Sequence, residues 1–223
     1  MLGDGNVVAA RPLSVGGREA LLVARYDRER SEDGQVRRVH QDDFCQALGV
    51  PAAAKYQSEG GPSIERSIDL LRSAADAGSL LRFIGQVLVS FLVGNNDAHG
   101  KNYSLIHGPG GGRATLAPAY GIPSTVVYNR RFNLSRKLAM SIGGENRPEY
   151  LERRHLDRFA ADNRLGRSSL RRMMLAVAEQ ADAAAAGARD DLAEVGWERP
   201  IIDEITTVIG ERSRIITRLA RPA

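Results

Sequence analysis

The sequence predicts a mainly α-helical protein of the α+β class, in which a helical body carries one short strand and a small β-hairpin. Apolar residues recur at helical spacing through most of the chain after His40. Two short apolar runs flank a glycine-rich turn between residues 103 and 117, which predicts the hairpin. A third short apolar run follows Gly16 and Gly17, which predicts the strand. The 223 residues, 43% of them hydrophobic, are enough to bury a core.

Composition excludes several classes of protein. The single cysteine, Cys45, excludes an intramolecular disulfide and a cysteine-rich zinc site, and it is typical of a reducing compartment. The longest nearly apolar stretch, residues 80–94, carries Arg82 and Gln86 and is too short to span a bilayer. No basic-then-apolar leader follows Met1. The aromatic content of 5% argues against base-stacking nucleic-acid modules. We expect a cytoplasmic protein that does not bind membranes.

The first forty residues predict little regular structure. Residues 19–27 form an apolar run after the turn at 15–17, which indicates a strand. Residues 28–38 are almost entirely charged or small, so we expect an exposed loop. Nothing before Val15 has the pattern of a complete structural layer.

Helical patterns begin at residue 41. Gln41 to Asp43 precede a short predicted helix that Gly49 and Pro51 end. A second, amphipathic helix starts at Ile64 and is expected to end at Gly78. Residues 80–93 are apolar on most sides, which predicts a central buried helix.

The second half of the chain predicts a hairpin and then helices. Residues 103–107 and 113–117 predict its strands, and residues 125–128 have some strand character. Helices are predicted at 151–163, at 168–186 with Ser168 or Ser169 as the cap, and at 201–219. His40, His107 and His155 are scattered along the chain and show no metal-ligand spacing.

The loop after the central helix contains the residues suited to chemistry. It places Asp97, His99, Lys101 and Asn102 within six residues. Protein kinases use the same order of parts, in which an Asp accepts the substrate proton and an Asn five residues later helps to bind magnesium. An Asx-rich loop whose side chains only cap backbone groups would have a similar composition. Spacing alone does not separate these two interpretations.

Longer segments resemble one kinase family. Phe91–Ser104 resembles the catalytic loop of the HipA family of bacterial toxin kinases. Leu116–Thr125 is similar to that family's metal-binding segment, and Lys137–Glu145 is similar to the block that follows it. Ala20–Arg28 looks like the strand that enters the hinge between the kinase lobes, and Val39–Gly49 also fits the family. These segments occur in the family's order.

The resemblance implies a kinase-like C-terminal helical lobe, with residues 1–33 as a remnant hinge strand and loop and 34–223 as the lobe. It implies a serine/threonine kinase that uses ATP and Mg²⁺, phosphorylates a translation component such as an aminoacyl-tRNA synthetase, and is neutralised by a HipB-like antitoxin. DNA would be reached only through that antitoxin. By the same resemblance, Asp97 would be the catalytic base and Asn102 a metal and cofactor ligand. His99 would orient the loop, and Lys101 would contact phosphate or solvent.

The chain departs from the family pattern in two ways. Gly121 occupies the position of the family's metal-binding Asp, and a glycine offers no side-chain ligand. No glycine-rich phosphate loop or strand lysine precedes Ala20, so we expect the N-terminal ATP-binding lobe to be largely absent.

Three hypotheses follow. The leading one is a truncated, catalytically deficient HipA-like kinase lobe. The second is an active toxin kinase, completed by another polypeptide or by sequence upstream of the assigned start. The third is a basic helical protein that binds a partner or nucleic acid, suggested by a pI near 9.5 and by paired basic residues such as Arg153 and Arg154.

Overall fold

A computed structural model describes residues 5–108 and 110–221 of the chain, without the side chain of Arg130. Seven short strands and seven helices occur in these ranges. The strands are β1 (Ala10–Val15), β2 (Arg18–Val23), β3 (Arg28–Arg30), β4 (Val36–Arg38), β5 (Gln41–Asp43), β6 (Ser104–Ile106) and β7 (Thr115–Leu116). The helices are α1 (Phe44–Ala47), α2 (Ile64–Ala74), α3 (Ser79–Leu92), α4 (Asn129–Phe132), α5 (Arg153–Asp162), α6 (Arg167–Glu194) and α7 (Pro200–Ala220). The predicted α+β class, dominated by helix, is confirmed.

Two exposed hairpins precede the helical body. β1 pairs antiparallel with β2 across Gly16 and Gly17, whose φ angles of +57° and +75° suit a tight hairpin turn. The predicted strand is β2, whereas β1 was missed because its polar and apolar residues do not alternate clearly. β3 pairs with β4 where an exposed loop was expected. That expectation was wrong because backbone hydrogen bonds hold these charged segments together without burying them.

A three-stranded sheet, in the order β5-β6-β7, contains one strand from before the loop of residues 95–102 and two strands from after it. β6 and β7 form the predicted hairpin, and β5 pairs antiparallel with the other side of β6. Asp43 ends β5 and caps α1, because its carboxylate accepts from the Gln46 amide at 3.0 Å while the Gln46 side chain accepts from the Asp43 amide at 3.0 Å. Residues 41–43 are therefore a strand as well as a helix start.

The core surrounds α3. Its buried side chains pack against α2, α6, α7 and β7, as the predicted central helix requires. α2 ends at Ala74, earlier than expected, because Ala75 is extended and forms a bridge with Ala114. None of the helices in the described ranges is long and apolar enough to cross a membrane.

Two local expectations were wrong. Residues 126–128 form a 3₁₀ turn and no strand. α6 starts at Arg167 with Gly166 at its cap position, so Ser168 and Ser169 lie inside its first turn and neither caps it. α6 also continues past Ala186 to Glu194, and α7 then returns against it.

Candidate active site

The loop of interest starts at a sharp turn after α3. Gly94 has a φ of +73°, and a Cβ atom there would lie 2.8 Å from both Val126 Cγ2 and Val208 Cγ1. Its carbonyl accepts hydrogen bonds from the Thr125 hydroxyl and the Val126 amide, each at 3.2 Å. A side chain does not fit at this position, so glycine allows the loop to pass between α7 and residues 125–126.

Two buried asparagines shape the start of the loop. Asn95 Oδ1 accepts from the Asp97 amide at 3.1 Å. The Asn96 amide donates to Thr125 Oγ1 at 2.9 Å, and the Asn96 carbonyl accepts from the Ala139 amide at 2.9 Å. The backbone on which Asp97 stands is therefore fixed on both sides by hydrogen bonds within a buried environment.

Arg212 of α7 lies beneath this loop. One of its Nη2–H groups donates to Asn96 Oδ1 at 3.4 Å, and its guanidinium lies 4.8 Å from the centre of the Phe91 ring. Burial lowers the pKa of Arg212 to about 10. Sequence analysis missed Arg212 because no local pattern links residue 212 to residue 96.

Asp97 is exposed at a cleft of about 720 Å³. Its Oδ1 atom accepts a hydrogen bond from the Tyr56 hydroxyl at 2.7 Å. That hydrogen bond, with burial, raises the pKa of Tyr56 to about 12, because an ionised phenol beside the carboxylate would be repelled. The cleft is also lined by Gln57, Thr125, Lys137, Ser141 and Asn146. Asp97 can therefore receive a proton from a hydroxyl that enters the cleft.

His99 is buried beside Asp97. Its ring lies edge-on to Tyr56, with 5.1 Å between ring centres. Burial lowers the pKa of His99, which favours the neutral imidazole at pH 7. Within the described ranges, Nδ1 has no hydrogen-bond partner. The role that the family resemblance implied for His99, orienting the loop, stays a prediction.

Lys101 points to a different part of the molecule. Its ammonium lies 2.5 Å from Asp43 Oδ2 at the junction of β5 and α1. This ion pair raises the pKa of Lys101. In the structure, Lys101 therefore links the loop to the sheet. A contact with phosphate, which the resemblance allowed, would require this ion pair to open.

The two expected metal positions lie on neighbouring segments. Asn102 Oδ1 accepts from the His99 amide at 3.0 Å, which leaves one lone pair of that oxygen. Tyr120 ties the segment before Gly121 to the loop, because its hydroxyl lies 2.7 Å from Ser104 Oγ and donates to the Lys101 carbonyl at 3.2 Å. Gly121 thus directly follows a residue that is hydrogen-bonded to this loop, and it is exposed and has no side-chain ligand atom.

These residues do not fit a magnesium ion. Magnesium is bound in proteins through one or two carboxylates, and one partly engaged amide oxygen is a poor substitute. Across residues 5–108 and 110–221, the one cluster of three metal-ligating side chains is His40, Asp42 and His107, which does not include Asp97. That cluster corrects the expectation that the histidines lie apart: the rings of His40 and His107 are 5.0 Å apart between centres. Sequence patterns did not predict strand β5, whose pairing with β6 brings the preceding residue, His40, opposite His107.

Comparisons with known proteins agree with the fold. A sequence model of the HipA-like C-terminal domain matches residues 4–186. A Sinorhizobium fredii protein named "Putative kinase Y4mE" is 36% identical over 213 residues, which are 95% of this chain and 50% of that protein. The serine/threonine-protein kinase toxin HipA of Shewanella oneidensis is 32% identical over 158 residues, 64% of this chain and 35% of the toxin.

A solved structure extends the likeness to three dimensions. The structure of the Shewanella oneidensis HipA, HipB and operator DNA complex contains a chain that matches with a TM-score of 0.75 and 25% identity. The match covers 96% of this chain and 51% of that one, so this chain spans about half the length of these relatives. The chain belongs to the family of HipA-like C-terminal domains.

Proposed function

We propose that this chain is the C-terminal lobe of a HipA-type serine/threonine kinase and that its phosphotransfer is deficient. The observation that carries the proposal is Gly121, which offers no side-chain ligand atom at the position where the family resemblance expects the metal-binding Asp, one residue after Tyr120, whose hydroxyl is bonded to the loop of Asp97 and Asn102. Positioning and charge stabilisation by metal ions make up most of what a kinase contributes to catalysis. Losing the carboxylate is expected to lower the rate by orders of magnitude.

The proton-accepting half of the site is retained. Asp97 faces an open cleft, Tyr56 holds one of its oxygens, and Asn95 fixes its backbone. These contacts keep the carboxylate where a substrate hydroxyl could reach it. The chain can therefore bind and orient a hydroxyl group more readily than it can transfer a phosphoryl group to it.

The lysines of these 223 residues support the same proposal. The chain has three, Lys55, Lys101 and Lys137, and all follow the hinge segment. Lys55 lies over the Tyr56 ring at 5.0 Å and Lys101 pairs with Asp43. Lys137 lines the cleft of Asp97, but none of the three lysines lies in a strand, so none has the strand context of a kinase lysine that holds the α- and β-phosphates. ATP binding by these residues alone is expected to be weak.

We also propose a HipB-like antitoxin as the partner of this chain in the cytoplasm, with DNA reached through that partner. This rests on the complex of the Shewanella relative, which contains HipA, HipB and operator DNA. Direct nucleic-acid binding is less well supported, since Arg154 pairs with Glu152 at 3.3 Å and Arg171 pairs with Asp157 at 2.7 Å. Acidic neighbours thus neutralise part of the basic surface.

The second candidate is an active toxin kinase that acts on a translation component such as an aminoacyl-tRNA synthetase. It is favoured by the exposed apolar side chains of the first hairpin, among them Val15 and Leu21, which a second polypeptide could cover. This candidate requires that Gly121 be tolerated.

A phosphotransfer assay separates the two candidates. Purified protein is incubated with labelled ATP and Mg²⁺, with the Asp97→Ala variant as the matched control. We expect incorporation of label no higher in the wild-type chain than in the variant. Robust incorporation that Asp97→Ala abolishes would overturn the deficient candidate.

A further inference from the structure

We propose that His40, Asp42 and His107 form a zinc site on the outer end of the β5–β6 ladder. His40 and Asp42 lie at β5, and His107 directly follows β6, more than sixty residues later in the chain. The ligand atoms of the three side chains all lie within 4.8 Å of one another. The proposal is independent of kinase activity, because none of the three residues is part of the Asp97 loop.

Strand register explains why these residues meet. β5 and β6 are antiparallel with Gln41 opposite Ile106, which places His40 opposite His107. The His107 amide donates to the His40 carbonyl at 3.0 Å, so the pairing extends one residue beyond the strand. Residues i and i+2 of a strand point to the same face. His40 and Asp42 therefore share a face, with His107 as the cross-strand neighbour.

The distances suit a tetrahedral ion. His107 Nε2 lies 3.0 Å and His40 Nε2 lies 3.7 Å from Asp42 Oδ2. Zinc–ligand bonds of about 2.0–2.1 Å at tetrahedral angles separate neighbouring ligand atoms by roughly 3.3 Å, between these two values. The two histidine nitrogens lie within 4.8 Å of each other. The His40 side chain is 72% exposed, so it can adjust its position without disturbing the core.

The chemistry of the ligands selects the class of metal. Two imidazoles and one carboxylate suit zinc, whereas magnesium and calcium prefer oxygen ligands alone. Three protein ligands leave a fourth position for water. A bound ion would link β5, which leads into α1, to β6, which continues from the catalytic loop. It would thus stabilise the sheet on which Lys101 and Asp43 hold that loop.

Zinc binding is measured by competition with a chromophoric chelator, using the full chain with all metal removed. We expect one zinc per chain in the wild type, and at least a tenfold loss of affinity in His40→Ala, in Asp42→Asn and in His107→Gln. His155→Ala is the matched control, because His155 lies on α5, outside the cluster, and this variant keeps full affinity.

Two further readouts guard against misfolded variants and nonspecific binding. Zinc raises the melting temperature of the wild type and of His155→Ala, and leaves that of His40→Ala unchanged. Cobalt in place of zinc gives the strong visible absorption of a tetrahedral site, which His40→Ala removes. Equal zinc affinity in His40→Ala and His155→Ala, or a stoichiometry well below one in the wild type, would overturn the proposal.

Discussion

At the scale of single residues, Gly121 combines an open environment with a left-handed backbone. Its φ is +57°, and no atom lies within 4 Å of where a Cβ would be. Asp and Asn adopt this conformation more readily than other non-glycine residues, since their short side chains can hydrogen-bond locally. The position can therefore accept the Asp that the family resemblance expects there at a modest conformational cost.

This leads to a prediction about metal affinity. Gly121→Asp adds a carboxylate one residue after Tyr120, which is hydrogen-bonded to the loop that carries Asn102, and should raise the Mg²⁺ affinity of the chain about tenfold, or ~1.4 kcal/mol. Gly121→Asn is the matched control, because it has the same shape and no charge. Isothermal titration with MgCl₂ measures both. Equal affinities for the Asp and Asn variants would contradict this account of Gly121.

The hydrogen bond between Tyr56 and Asp97 gives a pH prediction. It raises the pKa of Tyr56 to about 12, from an ordinary value near 10. Because the folded-state pKa is above the unfolded one, the stabilisation is fully present below about pH 10 and is lost as pH rises towards 12. Asp97→Asn should lower the pKa of Tyr56 and make that loss smaller, while the contribution of burial remains.

Phenolate absorbance during an alkaline titration tests this, with Tyr56→Phe identifying the signal of Tyr56 among the six tyrosines. If Tyr56 titrates at the same pH in the wild type and in Asp97→Asn, the hydrogen bond does not have the assigned effect.

At the scale of elements, replacing either of two glycines with alanine should change the free energy of unfolding in opposite directions. A Cβ at Gly143 would lie 1.9 Å from the His155 carbonyl oxygen of α5, and its φ is +56°. Gly187 lies inside α6 with no atom within 4 Å of a Cβ. Gly143→Ala should therefore destabilise the fold by about 2–4 kcal/mol. Gly187→Ala should stabilise it by about 0.5–1 kcal/mol, because glycine is a poor helix former.

Urea unfolding midpoints of both variants and the wild type measure these changes. Similar midpoints for Gly143→Ala and Gly187→Ala would show that the segment before α5 is not packed as described.

Sequence predicted the elements with strong periodicity. α2, α3 and α7 were found because their apolar residues recur on the buried face over several turns. β1 and β5 were missed because backbone pairing, and not side-chain burial, defines them. The end of α6 was missed because residues 187–194 are largely polar and exposed, and their helix continues without an apolar stripe.

The candidate site was predictable only where its residues are close in sequence. The composition and spacing of the loop pointed to Asp97, His99, Lys101 and Asn102, and the resemblance pointed to Gly121. Tyr56 is 41 residues from Asp97, and Arg212 is 116 residues from Asn96. Their contacts arise from tertiary packing, which no local motif records. The pairing of His40 with His107 was missed for the same reason.

At the scale of the whole molecule, the first hairpin differs from the body. Val15, Leu21 and Leu22 are exposed there, whereas the cluster around α3 is closed. Exposed apolar strands favour association with other chains. Leu21→Lys should therefore reduce self-association and change the free energy of unfolding by less than about 0.5 kcal/mol.

Sedimentation velocity and urea unfolding check both parts of this prediction. Ile68→Ala, in the core, is the contrasting control and should cost about 2–5 kcal/mol. A loss of stability in Leu21→Lys as large as in Ile68→Ala would contradict the exposure of this hairpin.

Phosphotransfer by a chimaera tests the central role of Gly121 most directly. The chimaera joins this chain to the half of the Sinorhizobium relative that it does not match, so that both variants carry the same added half. With Gly121, we predict no more ATP- and Mg²⁺-dependent transfer than in its Asp97→Ala variant. With Gly121→Asp, we predict activity that Asp97→Ala abolishes. Full activity of the Gly121 chimaera, dependent on Asp97, would contradict the account.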